Sequence, residues 1–445
     1  MFTIKSNVWL FWLCAGLISN ASPRLTHGPW LTYPDTGAMT IGFTTDCNTG
    51  AGVEYRLKNS ADEWMCAWDA VAGQLLDTVS YHPVRLTGLQ SGAEYEYRIV
   101  LLNPSEKRLT DREYWEDERS RKPQLTIIEN GAFTFHSFSP DAEPYSFFVT
   151  ADLQFSTLRR HSILQNYYDG GMKDARFTVL LGDLYYHVDN IEQDILAGIV
   201  DKTTALGGCS RPFLFVRGNH EWRGMEASRW CSYFPALNGS TYFSFRCGDV
   251  FYIVLDTGED RAAHALTHHF SGINAVEKEF IQEQKEWLDG VVEMPEFRQA
   301  KFRIVLAHAA PYSHPGKYIT EVTGRLADGA LTGRNPENRI HLWISGHTHF
   351  YTRSVPQTNR VYALSAPQKK LYSGEPYVFP VVTVDGPGGD LDTSGVQVLV
   401  LNDRLQLEMK YENGEVFDRC EIFPDGSVEN FKTGTVVELF DYDIP

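Results

Sequence analysis

The sequence predicts an α/β fold preceded by an all-β sandwich, and three observations carry that reading. Up to about residue 137, short alternating strands are separated by turn residues. From 138 onward, apolar strands alternate with helical stretches. Five of those strands run into a residue able to bind metal.

The chain opens with an apolar run from Val8 to Ile18, preceded by a single charge at Lys5 and followed by the small residues Ser19-Asn20-Ala21. Residues 1–21 therefore read as a secretory signal peptide, which predicts a protein secreted, periplasmic or held at the cell surface. The run is shorter than the ~20 apolar residues of a spanning helix, and no later segment predicts one. A lipoprotein reading of Cys14 ranks second, because Phe11-Trp12-Leu13 are bulky for such a site. Six cysteines remain, an even number compatible with disulfides in an exported chain. Cys47 with Cys66 is the first candidate pair, and Cys209 with Cys231 or Cys247 the second.

Residues 22–137 predict the sandwich. Ala38 to Thr44 alternates, and so does Glu94 to Val100, just after the turn Leu86-Thr87-Gly88-Leu89-Gln90-Ser91-Gly92. A leucine-bearing turn followed by Tyr-x-Tyr on a strand is similar to a fibronectin type III, immunoglobulin-like module. The charge-dense stretch Thr110 to Pro123 predicts an exposed loop.

Residues 138–445 predict the α/β unit. A helix is expected over Ala275 to Val291, with Phe280, Ile281, Trp287 and Leu288 on one face and Lys278, Glu279, Gln282 and Glu286 outward. Val396 to Leu401, Leu405 to Tyr411 and Glu415 to Ile422 read as strands with turn signals between them. The net charge of −17 argues against a nucleic-acid polymer as partner. Small phosphorylated molecules stay open, because bound cations can reverse the sign of a local site.

The five strand ends carry the chemistry. Tyr145 to Thr150 leads to Asp152, Phe177 to Leu181 to Gly182-Asp183, and Pro212 to Val216 to Gly218-Asn219-His220-Glu221. Phe302 to Leu306 leads to His308, and Ile340 to Ile344 to Gly346-His347-Thr348-His349. In open α/β sheets ligands gather outside the carboxyl ends of strands, so all five ends can meet in one crevice. Two metals about 3.5–4 Å apart need a bridging carboxylate and separate terminal ligands, and Asp183 is the natural bridge. Carboxylate, amide and imidazole donors suit iron, manganese or zinc. A metal-bound hydroxide attacking phosphorus in line is the reaction such a pair supports.

Asp-x-Gln, Gly-Asp-x-x-Tyr, Gly-Asn-His-Glu, Val-x-x-His and Gly-His-x-His, in this order, resemble the calcineurin-like metallophosphoesterase superfamily. Within it the chain is most similar to the purple acid phosphatases over roughly residues 144–390, and the preceding sandwich matches their architecture. The resemblance implies a four-layer α/β/β/α sandwich and a phosphomonoesterase of acid-phosphatase type. It implies Asp152, Asp183, Tyr186 and His349 around a first metal, ferric iron. It implies Asp183, Asn219, His308 and His347 around a second, iron, zinc or manganese. His220 would face the substrate phosphate and help protonate the leaving group, with His314 as a second acid. Gln154 stands where most of the superfamily has histidine and the purple acid phosphatases have glycine. In the latter a tyrosine three residues after the second aspartate fills the coordination position, here Tyr186, which leaves Gln154 as an accessory contact. A phosphodiesterase or nucleotidase on the same metals is an alternative, and a non-catalytic surface binding protein with a structural metal site is another. His27, His82, His136, His161 and His341 are expected to be ordinary surface or core histidines. The oligomeric state stays open.

Overall fold

The computed structural model describes residues 22–102, 125–127, 133–141, 143–236, 239–260, 277–311, 338–364, 377–384, 386, 393–431 and 438–441. The leader, the charged stretch 110–123 and His314 lie outside them.

The N-terminal region is built from two antiparallel sheets. Leu25–Asp35, Ala38–Thr45 and Tyr81–Thr87 form one, in that spatial order. Phe133–His136, Glu94–Leu102, Ala51–Leu57 and Met65–Trp68 form the other. Along Glu94–Leu102 the side chains alternate: Tyr95, Tyr97 and Ile99 are buried, while Glu94, Glu96 and Arg98 are half exposed. That period of two sends one face into a core shared with Leu31, Ile41, Phe43, Val84 and Leu86 of the opposite sheet. On the outer face Glu54 pairs with Arg98 and Arg56 with Glu96 across strands. Both guanidinium groups lie against Trp64, 4.4 Å from its ring centre.

The remaining chain forms two larger sheets packed face to face. The first runs Phe213–Val216, Phe177–Leu181, Tyr145–Thr150, Ser394–Val400, Leu405–Tyr411, Val416–Ile422 and Val428–Phe431. Its first three strands are parallel, and the late strands join antiparallel onto Tyr145–Thr150. The second runs Phe243–Cys247, Val250–Leu255, Phe302–Ala307, Leu342–Ser345, Val381–Thr383, Thr352–Val355, Arg360–Ala363 and Glu438–Asp441. Alternation divides the apolar residues between layers. Phe147, Val149, Val179 and Leu181 face Tyr252, Val254, Ile304 and Leu306 between the sheets. Phe148, Leu180, Phe213 and Phe215 turn outward under the helix Thr157–Asp169 and the helical stretch from Glu192 to Gly208. Phe251, Ile253, Val305 and Trp343 turn the other way, under the helix Glu277–Glu293. The result is the expected four-layer α/β/β/α sandwich with a β-rich region in front.

The helix expected from Ala275 runs over Glu277–Glu293, with Leu288 buried and Ile281 and Trp287 packed against the same core. Gln284 is also fully buried, because its side chain caps both backbone groups of Asp256. The expected disulfides are not formed: all six cysteines from Cys47 to Cys420 are free. Cys47 follows a strand of one N-terminal sheet, while Cys66 lies on the edge strand of the other, where it is exposed. Cys247 and Cys420 are buried and fill the core as small apolar side chains.

Candidate metal centre

The parallel strands deliver the expected residues to one edge of the two-sheet core. Each delivery needs a sharp turn off a strand, and the backbone shows it. Asp152, Asp183, His347 and His349 have φ of 55°, 53°, 72° and 60°, half of the eight non-glycine positive values among the described residues. Such conformations cost about 1–3 kcal/mol each and persist only where the surroundings over-determine them. Gly218 and Gly346 let the loops close up, since a Cβ at either would run into the carboxylate of Asp183 or Asp152 respectively.

Hydrogen bonds then fix the carboxylates. Asp183 Oδ1 accepts from the His220 backbone N–H at 2.9 Å, and Asp152 Oδ2 from the His347 backbone N–H at 2.9 Å. Glu221, fully buried, accepts from the backbone N–H groups of Asp183 (2.9 Å), Leu184 (2.7 Å) and Gly218 (2.8 Å). One carboxylate thus ties two strand-end loops together. Burial, and then the charge of Asp183, push its pKa up to about 7.

Two groups of donors result. Asp183, His308 and His347 each offer an atom within 4.8 Å of the others, and so do Asp152, Asp183 and His349. Asp183 is common to both. His308 Nε2 lies 3.1 Å from Asp183 Oδ2, His349 Nε2 3.3 Å from Asp152 Oδ1, and Asn219 Oδ1 2.9 Å from His347 Nδ1. His308 Nδ1 donates to the Leu181 carbonyl at 2.8 Å, which turns Nε2 into the centre. Burial works to neutralise both Asp183 and His308, but their mutual attraction wins. It holds the Asp183 carboxyl well below the usual range and pushes His308 up to about 10. His347 is pushed down to about 4, by burial and then by His308. Burial also opposes the charge on His349, and Asp152 more than restores it.

Gln154 Oε1 is buried with no hydrogen-bond partner, and Asp152 Oδ1 and His308 Nε2 approach His349 and Asp183 without an aligned hydrogen bond. Buried polar atoms are normally satisfied. Unsatisfied oxygen and imidazole nitrogen atoms converging on one carboxylate fit a pair of cations, and no thiol is among them.

Gln154 is 1% exposed and donates from Nε2 to Asp183 Oδ2 at 3.0 Å. Tyr186 is 52% exposed, and its phenol oxygen makes no hydrogen bond among the described residues. Its backbone carbonyl accepts from His220 Nδ1 at 2.7 Å. The His220 ring sits beside the donor groups, with Nε2 3.8 Å from Asp183 Oδ2 and 2.8 Å from Arg223 Nη1. Sequence reasoning missed Arg223 and the stapling role of Glu221. The glutamate had a signal in its place next to Gly-Asn-His, whereas the arginine had none beyond its charge. Of the histidines expected to be ordinary, His82 pairs with Asp69 in the sandwich core, and His341 is held by backbone groups.

Residues 145–351 match the family model described as calcineurin-like phosphoesterase. No curated protein matches the chain. Among solved structures, a purple acid phosphatase from yellow lupin (Lupinus luteus) seeds is similar over 90% of this chain and 74% of its own, at 15% identity and a TM-score of 0.60. A dimetal phosphatase from Danio rerio aligns with 61% of this chain and 97% of its own, at 14% identity and a TM-score of 0.40. The lupin likeness shows a shared fold.

Proposed function

Since the chain carries a calcineurin-like metallophosphoesterase domain over residues 145–351, we propose that it hydrolyses small phosphate monoesters on a dinuclear metal centre, as an acid phosphatase. The observation that carries this reading is Asp183, shared by two groups of donors whose atoms lie within 4.8 Å of one another. On this reading Asp152, Asp183 and His349 hold a first metal, ferric iron. Asp183, Asn219, His308 and His347 hold a second, iron, zinc or manganese. When bound, the pair supplies Lewis acidity at the phosphoryl group and activates water.

The chain's own residues do the rest. His308 must be neutral to bind, so cation binding releases its proton, and the Leu181 carbonyl keeps the remaining N–H on Nδ1. Glu221 holds the Asp183 and Asn219 loops at one spacing. Two side chains compete to complete the first group. Tyr186 was expected from sequence, but the buried, unpartnered Oε1 of Gln154 beside Asp183 favours the amide. His220 stands at the edge of the centre, where a substrate phosphate reaches it. The exported location inferred from residues 1–21 places this chemistry outside the cytoplasm, with a mature N-terminus near Ser22.

The test is turnover of 4-nitrophenyl phosphate and of bis(4-nitrophenyl) phosphate by protein of measured metal content. Two metals per chain with faster monoester cleavage is the expected result. Faster diester cleavage would move the reading to a phosphodiesterase. Two bound metals with no turnover of either would leave a binding protein.

A further inference from the structure

Arg223 is 2% exposed and carries none of the chemistry assigned so far. It closes the short turn His220–Trp222, and that turn puts it on the same side as His220, three residues earlier. Its Nε and Nη2 donate to the Glu259 carboxylate at 2.9 Å and 2.6 Å, and Nη2 also donates to Asp260. Its backbone carbonyl accepts from the Val188 N–H at 2.8 Å, which ties it to the loop bearing Tyr186. The guanidinium is therefore held by two carboxylates, and the backbone of Arg223 by Val188. Its Nη1 is what meets the His220 ring, 2.8 Å from Nε2.

The roles in this chain of hydrogen bonds are forced. A carbonyl can only accept, so His220 Nδ1 carries a proton toward Tyr186. A guanidinium can only donate, so His220 Nε2 offers its lone pair to Arg223. Building on the phosphoesterase reading, we propose that Arg223 is a positioning residue, holding His220 in one ring rotation and one tautomer beside Asp183. A direct grip on the substrate phosphate is disfavoured, because two carboxylates, Glu259 and Asp260, already surround this one cation. On this proposal His220 does not give a proton to the leaving group, because Nε2 accepts from Arg223.

The experiment uses the full chain loaded with zinc and labelled with 15N at histidine, as wild type, Arg223→Ala, Arg223→Lys and Glu259→Gln. Disappearance of a signal in His220→Gln assigns the His220 ring. In the wild type it should show the proton on Nδ1 alone, and in Arg223→Ala a mixture of tautomers. Metal content should stay at the wild-type level. The kcat for 4-nitrophenyl phosphate should fall by about 10- to 100-fold, the usual cost of losing a partner that orients an active-site histidine. KM should change little. Added guanidinium ion should restore part of the rate to Arg223→Ala, whereas Arg223→Lys should stay impaired, because an ammonium cannot span the carboxylates and the ring together. Unchanged His220 signals in Arg223→Ala, or a loss confined to KM, would overturn the proposal. Should Arg223→Ala fail to fold, Glu259→Gln decides: mixed tautomers support the clamp and a wild-type spectrum overturns it. Absence of turnover in iron-loaded wild type would count against the phosphoesterase reading, while the tautomer signals of the zinc-loaded protein would still decide the role of Arg223.

Discussion

The strand Leu342–Ser345 has a histidine just beyond each end, and the two differ in everything except their titration. His341 precedes it and His347 follows it, and burial pushes both down to about 4. At the first end Nδ1 accepts from the Arg303 backbone N–H at 3.1 Å, and Nε2 donates to the Pro424 carbonyl at 3.0 Å. Backbone supplies both partners, and the ring is finished. At the other end φ is 72°, a side-chain amide stands 2.9 Å from Nδ1, and three aspartates and His308 act on the ring. A depressed pKa thus marks burial at both ends. The site is marked by strained backbone, converging donors and buried atoms left without partners.

The largest expected effect tests the finished-versus-open contrast at its centre. Asp183→Ala should lose the paired metals and lower turnover by about 10³-fold or more, the loss of several kcal/mol of charge stabilisation. His341→Gln should keep both metals and the rate. Two metal equivalents with near-normal turnover in Asp183→Ala would sink the assignment of the bridge.

A second measurement separates the ends by pH. His341 must be neutral in the fold, with a pKa near 4 against 6.5 when unfolded. Its stabilising contribution is full above pH 6.5 and is lost as the pH falls through about 4, a difference of about 3 kcal/mol. Urea midpoints at pH 7 and pH 4.5 should therefore drop further for wild type than for His341→Gln. Across the same window the His347 end should register as metal release, since a protonated imidazole cannot be a ligand. Parallel midpoint losses in wild type and His341→Gln would break the comparison.

The smallest effect is spectroscopic. With ferric iron bound, a tyrosinate ligand gives a visible charge-transfer band, and Tyr186→Phe should remove it, while Tyr185→Phe should not. If Gln154 completes the group instead, the iron-loaded protein lacks that band. Gln154→Gly then weakens iron binding, and Tyr186→Phe does not. Calorimetric iron affinity and the visible spectrum together decide between the two residues.

Much of this was legible in the sequence, for identifiable reasons. Asp152, Asp183, Asn219, His308, His347 and His349 each follow an apolar strand, and strand ends of a parallel sheet share one edge, so order and residue type were enough. The helix over Glu277–Glu293 was legible from its apolar stripe, within two residues at each end. The strand Ser394–Val400 could be read as a strand, but not its seat against Tyr145–Thr150, which no local pattern encodes. Arg223 meets Glu259 across 36 residues, and buried ion pairs between loops leave no periodicity. The disulfide expectation failed because an even count of cysteines says nothing about which sheets they land on.

The sandwich in front has a further consequence. Trp30 stacks on Tyr81 and meets Phe234, and it belongs to the core under the helix Thr157–Asp169. Tyr33 packs edge-on against Phe243 and donates to the Phe234 carbonyl at 2.5 Å. A chain shortened to start at residue 138 would bare an aromatic trough built to be filled from upstream. Without the residues before it, the α/β unit is thus an incomplete globule. Exchanging this front end for that of a relative would have to carry Trp30 and Tyr33 along, or replace the trough that receives them.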